Sequence, residues 1–174
     1  MEVILVRHGE AESAGSCGDA DRSLTARGAR EATALGQLLS RGLTSTACVV
    51  TSPVKRARQT AEAIARELGS PPFVASDELR PGASDRVSSP GASAGERLLA
   101  LLARHERGSR LVVVAHAPDV SEMLAHVLNG GASPWTPGFP PGASAWLRFA
   151  GHPPRPGGAR LVCFLAPEAA SWLG

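Results

Sequence analysis

The sequence predicts an α/β fold: a three-layer sandwich in which a mostly parallel central sheet is flanked by helices on both faces. Three observations predict it. Val3–Val6, Ala47–Thr51 and Leu111–Ala115 are short, nearly unbroken apolar runs. A strand covered on both faces needs that pattern, because neither side of it meets water. Between the runs lie stretches whose apolar residues recur every three or four positions, the period of a helix with one buried face. The two kinds of segment alternate along the chain, so a helix crosses over between successive parallel strands.

Taken in order, Val3–Val6 is the first strand, and the Gly-, Ser- and Asp-rich stretch from Gly9 to Ser23 is a loop. Thr25 is placed to cap a helix running to about Arg41, with Ala29, Ala32, Leu35, Leu38 and Leu39 on one face and Gly42 as its stop. After the second strand, Ser52-Pro53 predicts a helix start, Ser as cap and Pro in the first turn, with the helix reaching Leu68 before Gly69. Phe73–Ala75 is a short strand, and Arg80–Gly95 is a loop full of Pro, Gly and Ser. Helical spacing returns over Glu96–Glu106 through Leu98, Leu99, Leu101 and Leu102. Leu111–Ala115 is the third buried strand, Pro118–Leu128 a helix, and Gly130–Gly142 a Pro/Gly-rich loop. Ala143–Ala150 and Arg160–Leu165 read as two further strands joined by the turn-rich His152–Gly158. No repeat or linker interrupts the 174 residues, which suit a single domain spanning 1–174 around one core.

Composition narrows the function classes. Apolar residues at 43% and charged residues at 20% are ordinary for a soluble globular protein. A net charge of +2 is too small to argue for a nucleic-acid partner. Among 18 basic residues Lys55 is the one lysine. Either a genomic preference for Arg, Ala, Gly and Pro codons or a demand for planar phosphate recognition gives that bias. Cys17, Cys48 and Cys163 are odd in number and scattered, with no C-x-x-C pair, which argues against a disulfide framework or a zinc site. The first apolar run is four residues long and ends in charge, so it is not a signal peptide, and no run approaches a membrane span. The expectation is a soluble, cytoplasmic protein with no membrane partner.

Parallel strands deliver their carboxyl ends to one edge of a sheet, where ligands of such folds bind. Here those ends carry Arg7-His8-Gly9-Glu10, then Ser52-Pro53-Val54-Lys55-Arg56-Ala57-Arg58-Gln59-Thr60, then His116-Ala117-Pro118. Alone, a histidine after a strand or an arginine in a first helical turn is an ordinary structural residue. Together, two histidines and several arginines beside helix N-termini suit a phosphoryl group. Buried without an anion, such a cluster would repel itself.

These segments resemble the histidine phosphatase, or phosphoglycerate-mutase-like, superfamily. Val6-Arg7-His8-Gly9-Glu10 is similar to its R-H-G signature, and Ser52–Ala61 to its S-P-x-x-R-A-x-Q-T-A segment. Val114–Pro118 is similar to its G-H-x-P segment, with Ala115 where Gly is usual. Asp21–Gly28 is similar to D-x-x-L-T-x-x-G. The matches run in order from Glu2 to about Gly130. Within the superfamily the chain resembles the SixA-type phosphohistidine phosphatases. It is short, Asp77–Gly82 is similar to that branch's E-L-x-P stretch, and Pro137–Pro140 with Gly142–Ala145 resembles its late strand entry.

The resemblance implies a phosphoglycerate-mutase-like fold and a phosphatase that works without cofactor or metal. His8 would attack phosphorus, Arg7 and Arg56 would grip the phosphoryl oxygens, and His116 would complete the phosphate pocket. Many relatives carry an acid two positions after the leucine equivalent to Leu79, where it protonates an alkoxide leaving group. Here Pro81 stands there and can donate nothing. Glu78 and Asp85 are nearby alternative acids but out of register, Glu78 expected in a structural role at a strand end and Asp85 in a loop from which it could be recruited, and Glu10 and Asp21 are two more with nothing in the sequence to argue for them. The expected substrate is phosphohistidine on a signalling protein such as a histidine-phosphotransfer domain. The alternatives are a small-metabolite phosphomonoesterase and, in another class, a non-catalytic phosphate-binding module. The sequence is silent on oligomeric state.

Overall fold

A computed structural model describes residues 1–14, 18–43, 45, 48–82, 91–130 and 138–170. Six strands form one sheet: β1 (Glu2–Arg7), β2 (Cys48–Thr51), β3 (Phe73–Ala75), β4 (Arg110–Ala115), β5 (Ser144–Phe149) and β6 (Ala159–Leu165). Their order across the sheet is β3-β2-β4-β1-β5-β6. The first four are parallel, with Val3 opposite Leu111 and Val50 opposite Val113. β5 and β6 run antiparallel at the other side, so the sheet is mixed. The reason is connectivity. No helix carries the chain from β5 to β6, and the turn after Phe149 returns it directly against its own strand.

Alternation along each strand sorts the core into two layers. Ile4, Val6, Val49, Val112 and Val114 face α1 (Ala26–Gly42) and α2 (Lys55–Glu67), where they meet Leu35, Leu39, Ala57, Ala61 and Ile64. Val3, Leu5, Val50, Leu111 and Val113 face α3 (Ala94–Ala103) and α4 (Asp119–Asn129), where they meet Leu98, Leu102, Val120, Met123 and Leu124. This is why the strand sequences are apolar throughout: each face has its own pair of helices to cover it. A four-residue helix, α5 (Pro167–Ala170), follows β6. Among the described residues no helix is long and apolar enough to cross a membrane.

Helix ends follow local chemistry. Thr25 caps α1 as expected, its hydroxyl accepting the Gly28 N–H. Ser93 and Glu96 close a capping box that starts α3 at Ala94, two residues before the start that apolar spacing indicates. Ser52 does not cap α2, contrary to expectation. The helix begins at Lys55 with Val54 at the cap position, and the Ser52 hydroxyl accepts the Val54 N–H at 3.3 Å. Proline at 53 has no N–H, so the first backbone donor within reach is two residues on. The expected strand start at Ala47 lies outside the described residues, as do Cys17, Asp85 and Pro137.

Candidate active site

The sheet's central neighbours, β1 and β4, leave in opposite directions. β1 leads to α1 on one face and β4 leads to α4 on the other. A crevice opens where the connections diverge. His8 and His116 are the residues that follow these two strands, and they occupy it with ring centroids 5.0 Å apart. The strand ends are tied together below them. The His8 N–H donates to Ala115 O at 3.1 Å, and the Ser52 N–H donates to Val114 O at 3.0 Å.

The loop after His8 is held by α1 and α2. Gly9 and Gly28 pack backbone to backbone. A Cβ on Gly9 would stand 2.7 Å from Gly28 O, and a Cβ on Gly28 would collide with the Glu10 backbone. Only glycine fits at either place, so the R-H-G signature and the distant L-T-x-x-G stretch are two halves of one contact. Thr60 accepts the Gly9 N–H at 3.1 Å, while Gln59 Oε1 accepts the Leu24 N–H at 2.8 Å. The Q-T pair thus fastens the nucleophile loop to α2.

His8 is 8% exposed. Its Nδ1–H donates to Gly9 O at 2.8 Å, which leaves Nε2 with its lone pair. That nitrogen accepts the Arg56 Nε–H at 3.1 Å. Burial pushes the His8 pKa down to about 4. The charges of Arg56, Arg7 and Arg22 act the same way, and the Gly9 contact opposes them. His116 is pushed to about 3, by burial first and then by His8 and Arg56. Both rings are therefore neutral at pH 7.

Arg7 donates from one terminal nitrogen to Phe139 O at 2.7 Å, while its buried Nε meets no partner among the described residues. Burial, then the charge of Arg56, presses its pKa below the ordinary value. The Arg56 guanidinium is saturated on its outer edge. One terminal nitrogen donates to Asp19 O at 2.6 Å and the other to the Asp19 carboxylate at 2.9 Å. Asp19 sits in the 3-10 turn Asp19–Asp21 and also pairs with Arg22 at 2.9 Å. Arg22, and then Arg56, hold its carboxyl below the usual range.

Arg7, His8, Arg56 and His116 converge on one cavity of about 380 Å³, whose wall also includes Glu10, Asp19, Arg22 and Pro81. The expected self-repulsion of two histidines and two arginines is relieved from within. The histidines are neutral and Asp19 supplies the anion. Asp19 is the residue that sequence reasoning missed. In a Gly/Ser/Asp loop it looks like a turn former, and only its place three residues before Arg22 hints at more. Glu78 is not brought to the cavity. Its carboxylate takes Arg104 at 2.5 Å and Ser76 at 3.4 Å. Glu10 reaches the wall, but its carboxylate accepts the Thr25 hydroxyl at 2.9 Å. Asp21 lines a neighbouring surface groove beside Lys55 and Arg58 instead. Among the described residues no cluster of His, Cys, Asp or Glu side chains is arranged to hold a metal ion.

The sequence and the fold match known relatives. The family model of the histidine phosphatase superfamily (branch 1) matches residues 3–81. An uncharacterized protein of Picosynechococcus sp. is 36% identical over 134 residues, covering 75% of this chain and 74% of its own. The protein histidine phosphatase SixA, solved with tungstate, superposes with a TM-score of 0.75 at 25% identity, covering 96% of this chain and 97% of that one. A SixA-type protein from Agrobacterium tumefaciens gives 0.73 at 26% identity, over 95% and 97%. The chain belongs to the histidine phosphatase superfamily, in its SixA-type branch, and is a phosphatase.

Proposed function

We propose that this phosphatase removes phosphate from phosphohistidine on a signalling protein, through a phosphohistidine intermediate on its own His8. The observation that carries the substrate choice is the cavity wall itself. Pro81 lines it, and its carboxylates are already engaged: Asp19 by Arg22 and Arg56, Glu10 by Thr25. An alkyl phosphate expels an alkoxide, a step that gains about 10²–10⁴-fold from a placed acid. Phosphohistidine expels an imidazole of pKa about 6.5, which leaves with far less help.

In this reading the lone pair of His8 Nε2 attacks phosphorus, and the P–N bond to the substrate imidazole breaks as that ring takes a proton from solvent water. Arg7 Nε and the inner edge of Arg56 hold the equatorial oxygens, with His116 as a further donor. In such transfers positioning and charge stabilisation provide most of the catalysis. Water then attacks the phosphorus on His8, releasing inorganic phosphate and regenerating the neutral ring. The intact quartet also favours an enzyme over a phosphate-binding module, which has no need of a nucleophile.

The test is a hydrolysis panel at matched concentrations: a phosphohistidine peptide, phosphoramidate, an aryl phosphate and a sugar phosphate. The expected order is phosphohistidine and phosphoramidate first, the aryl ester between, the sugar phosphate at least about 100-fold behind. A sugar phosphate hydrolysed as efficiently as phosphohistidine would overturn the reading and favour a metabolite phosphomonoesterase.

A further inference from the structure

Ser52 and His116 form a second hydrogen-bonded unit beside the nucleophile. Ser52 follows β2 and is fully buried, and His116 follows β4 and is 1% exposed. The two strands are neighbours, which brings Ser52 Oγ to 2.8 Å from His116 Nε2. The other ring nitrogen, Nδ1, is buried and meets no partner among the described residues, on a residue that lines the phosphate cavity.

The hydrogen of that contact can be assigned by accounting for each group. A serine hydroxyl has one proton to give and lone pairs to accept with. The Ser52 oxygen already accepts the Val54 N–H at 3.3 Å. Among the described residues the hydroxyl has no other acceptor within reach than His116 Nε2. If His116 instead donated from Nε2, the Ser52 proton would be stranded in the interior. A bare Nδ1 lone pair would then face the anion that Arg7 and Arg56 attract. A buried polar group left unpaired is destabilising, because it has given up its hydrogen bonds to water for nothing. If Ser52 donates, every group in the chain is used: Val54 N–H to Ser52, Ser52 O–H to His116 Nε2, and Nδ1–H remaining as a donor.

We propose that Ser52 is a positioning residue that holds His116 as the neutral Nδ1–H tautomer, aimed at a phosphoryl oxygen. The proposal rests on the phosphoryl-transfer reading of the site, and it adds how His116 can act as a donor without carrying a charge. The strong downward pKa shift of His116 fits, since a charged ring would add repulsion to Arg56 and Arg7. The arrangement mirrors His8. There a backbone carbonyl accepts from Nδ1 and frees Nε2 as a nucleophile. At His116 a hydroxyl donates to Nε2 and leaves Nδ1 as a donor. Opposite tautomers give two adjacent imidazoles opposite roles.

Two measurements test it, neither depending on the substrate. The first is nitrogen-15 NMR of the imidazoles in the wild-type enzyme without ligand at pH 7. The expected result is a protonated Nδ1 and unprotonated Nε2 on His116; the reverse pattern overturns the proposal. The second is tungstate affinity of Ser52→Ala and Ser52→Thr between pH 5 and pH 8. Wild type should bind with little dependence on His116 protonation. Ser52→Ala should bind about 10-fold more weakly across the whole range, because the neutral ring then divides between its two tautomers and, with its pKa at about 3, does not recover by protonation above pH 5. Ser52→Thr, which keeps the hydroxyl, should restore the wild-type profile. A Ser52→Ala enzyme with wild-type affinity across the range would show that the serine only packs. Should the panel above instead favour sugar phosphates, both measurements still decide the tautomer.

Discussion

Arg56 Nε stands 3.1 Å from His8 Nε2, so the lone pair that would attack phosphorus is covered in the resting enzyme by the arginine that would bind the phosphoryl oxygens. Asp19 grips the outer edge of the same guanidinium through both its carboxylate and its backbone oxygen. Arg56 is thereby fixed with its Nε edge turned toward the nucleophile, and an incoming phosphoryl group exchanges with a hydrogen bond already aligned.

Arg56→Ala should lower kcat/KM by about 10²–10³-fold, the loss expected for a preorganised donor in a water-poor site. Asp19→Asn should cost less, about 10-fold, because it weakens the grip on Arg56 without removing the donor. In the Arg56→Ala background Asp19→Asn should cost almost nothing further. Steady-state kinetics of the four-member cycle check this. Additive losses would mean that Asp19 acts on substrate directly.

The pH dependence should carry the depressed histidines. With His8 at about 4, the acid limb of kcat/KM should fall near pH 4 once the substrate's own ionisation is corrected for. An ordinary imidazole would place it near 6.5. Stability should follow the same groups. Between about pH 6.5 and 4 the unfolded chain binds protons that folded His8 and His116 refuse, so stability is lost as the pH falls through that window. His8 alone accounts for a loss on the order of 3 kcal/mol across that window. Denaturant melts at pH 7, 5 and 4 should show a shallower decline for His8→Gln than for wild type.

Arg97 and Asp119 form a nearly buried ion pair at 2.9 Å, and Arg97 also donates to Glu78 O and Ala92 O. The pair joins α3, the start of α4 just after His116, and the segment leading to Pro81. Its two halves should not be equivalent. Asp119→Ala strands a buried guanidinium that cannot shed its charge, at a cost of about 3–5 kcal/mol. Arg97→Ala leaves a carboxyl whose pKa burial already pushes up, so it can neutralise itself and should cost less. Chemical denaturation at pH 7 ranks the two.

Much of the fold and of the site is legible in the sequence. Val3–Val6 and Leu111–Ala115 had to be doubly covered strands, and strand ends fix where His8 and His116 must meet. Other features were hidden because one residue type serves several ends. Ser52 before a proline reads as a helix cap, yet its hydroxyl turns to Val54 and His116. Asp19 in a polar loop reads as a turn residue, since nothing local reveals that Arg56, 37 positions away, needs an anion. The Ser93–Glu96 capping box was written in the sequence but submerged in a Pro/Gly/Ser run.

Without a placed acid at position 81, the rate should depend steeply on the leaving group. Rates of phosphoenzyme formation across aryl and alkyl phosphates should fall sharply as leaving-group pKa rises. Pro81→Glu should flatten that slope by placing a carboxyl on the cavity wall. An already shallow slope in wild type would mean that an acid is present, with Glu10 the next residue to replace.

The most direct measurement is the trap of the intermediate itself. Enzyme quenched during turnover of a labelled phosphoramidate should carry the label on the peptide containing His8, in an acid-labile, base-stable bond. The adduct should be absent from His8→Ala, which should also be inactive. Label recovered on a serine, or normal turnover by His8→Ala, would contradict the account.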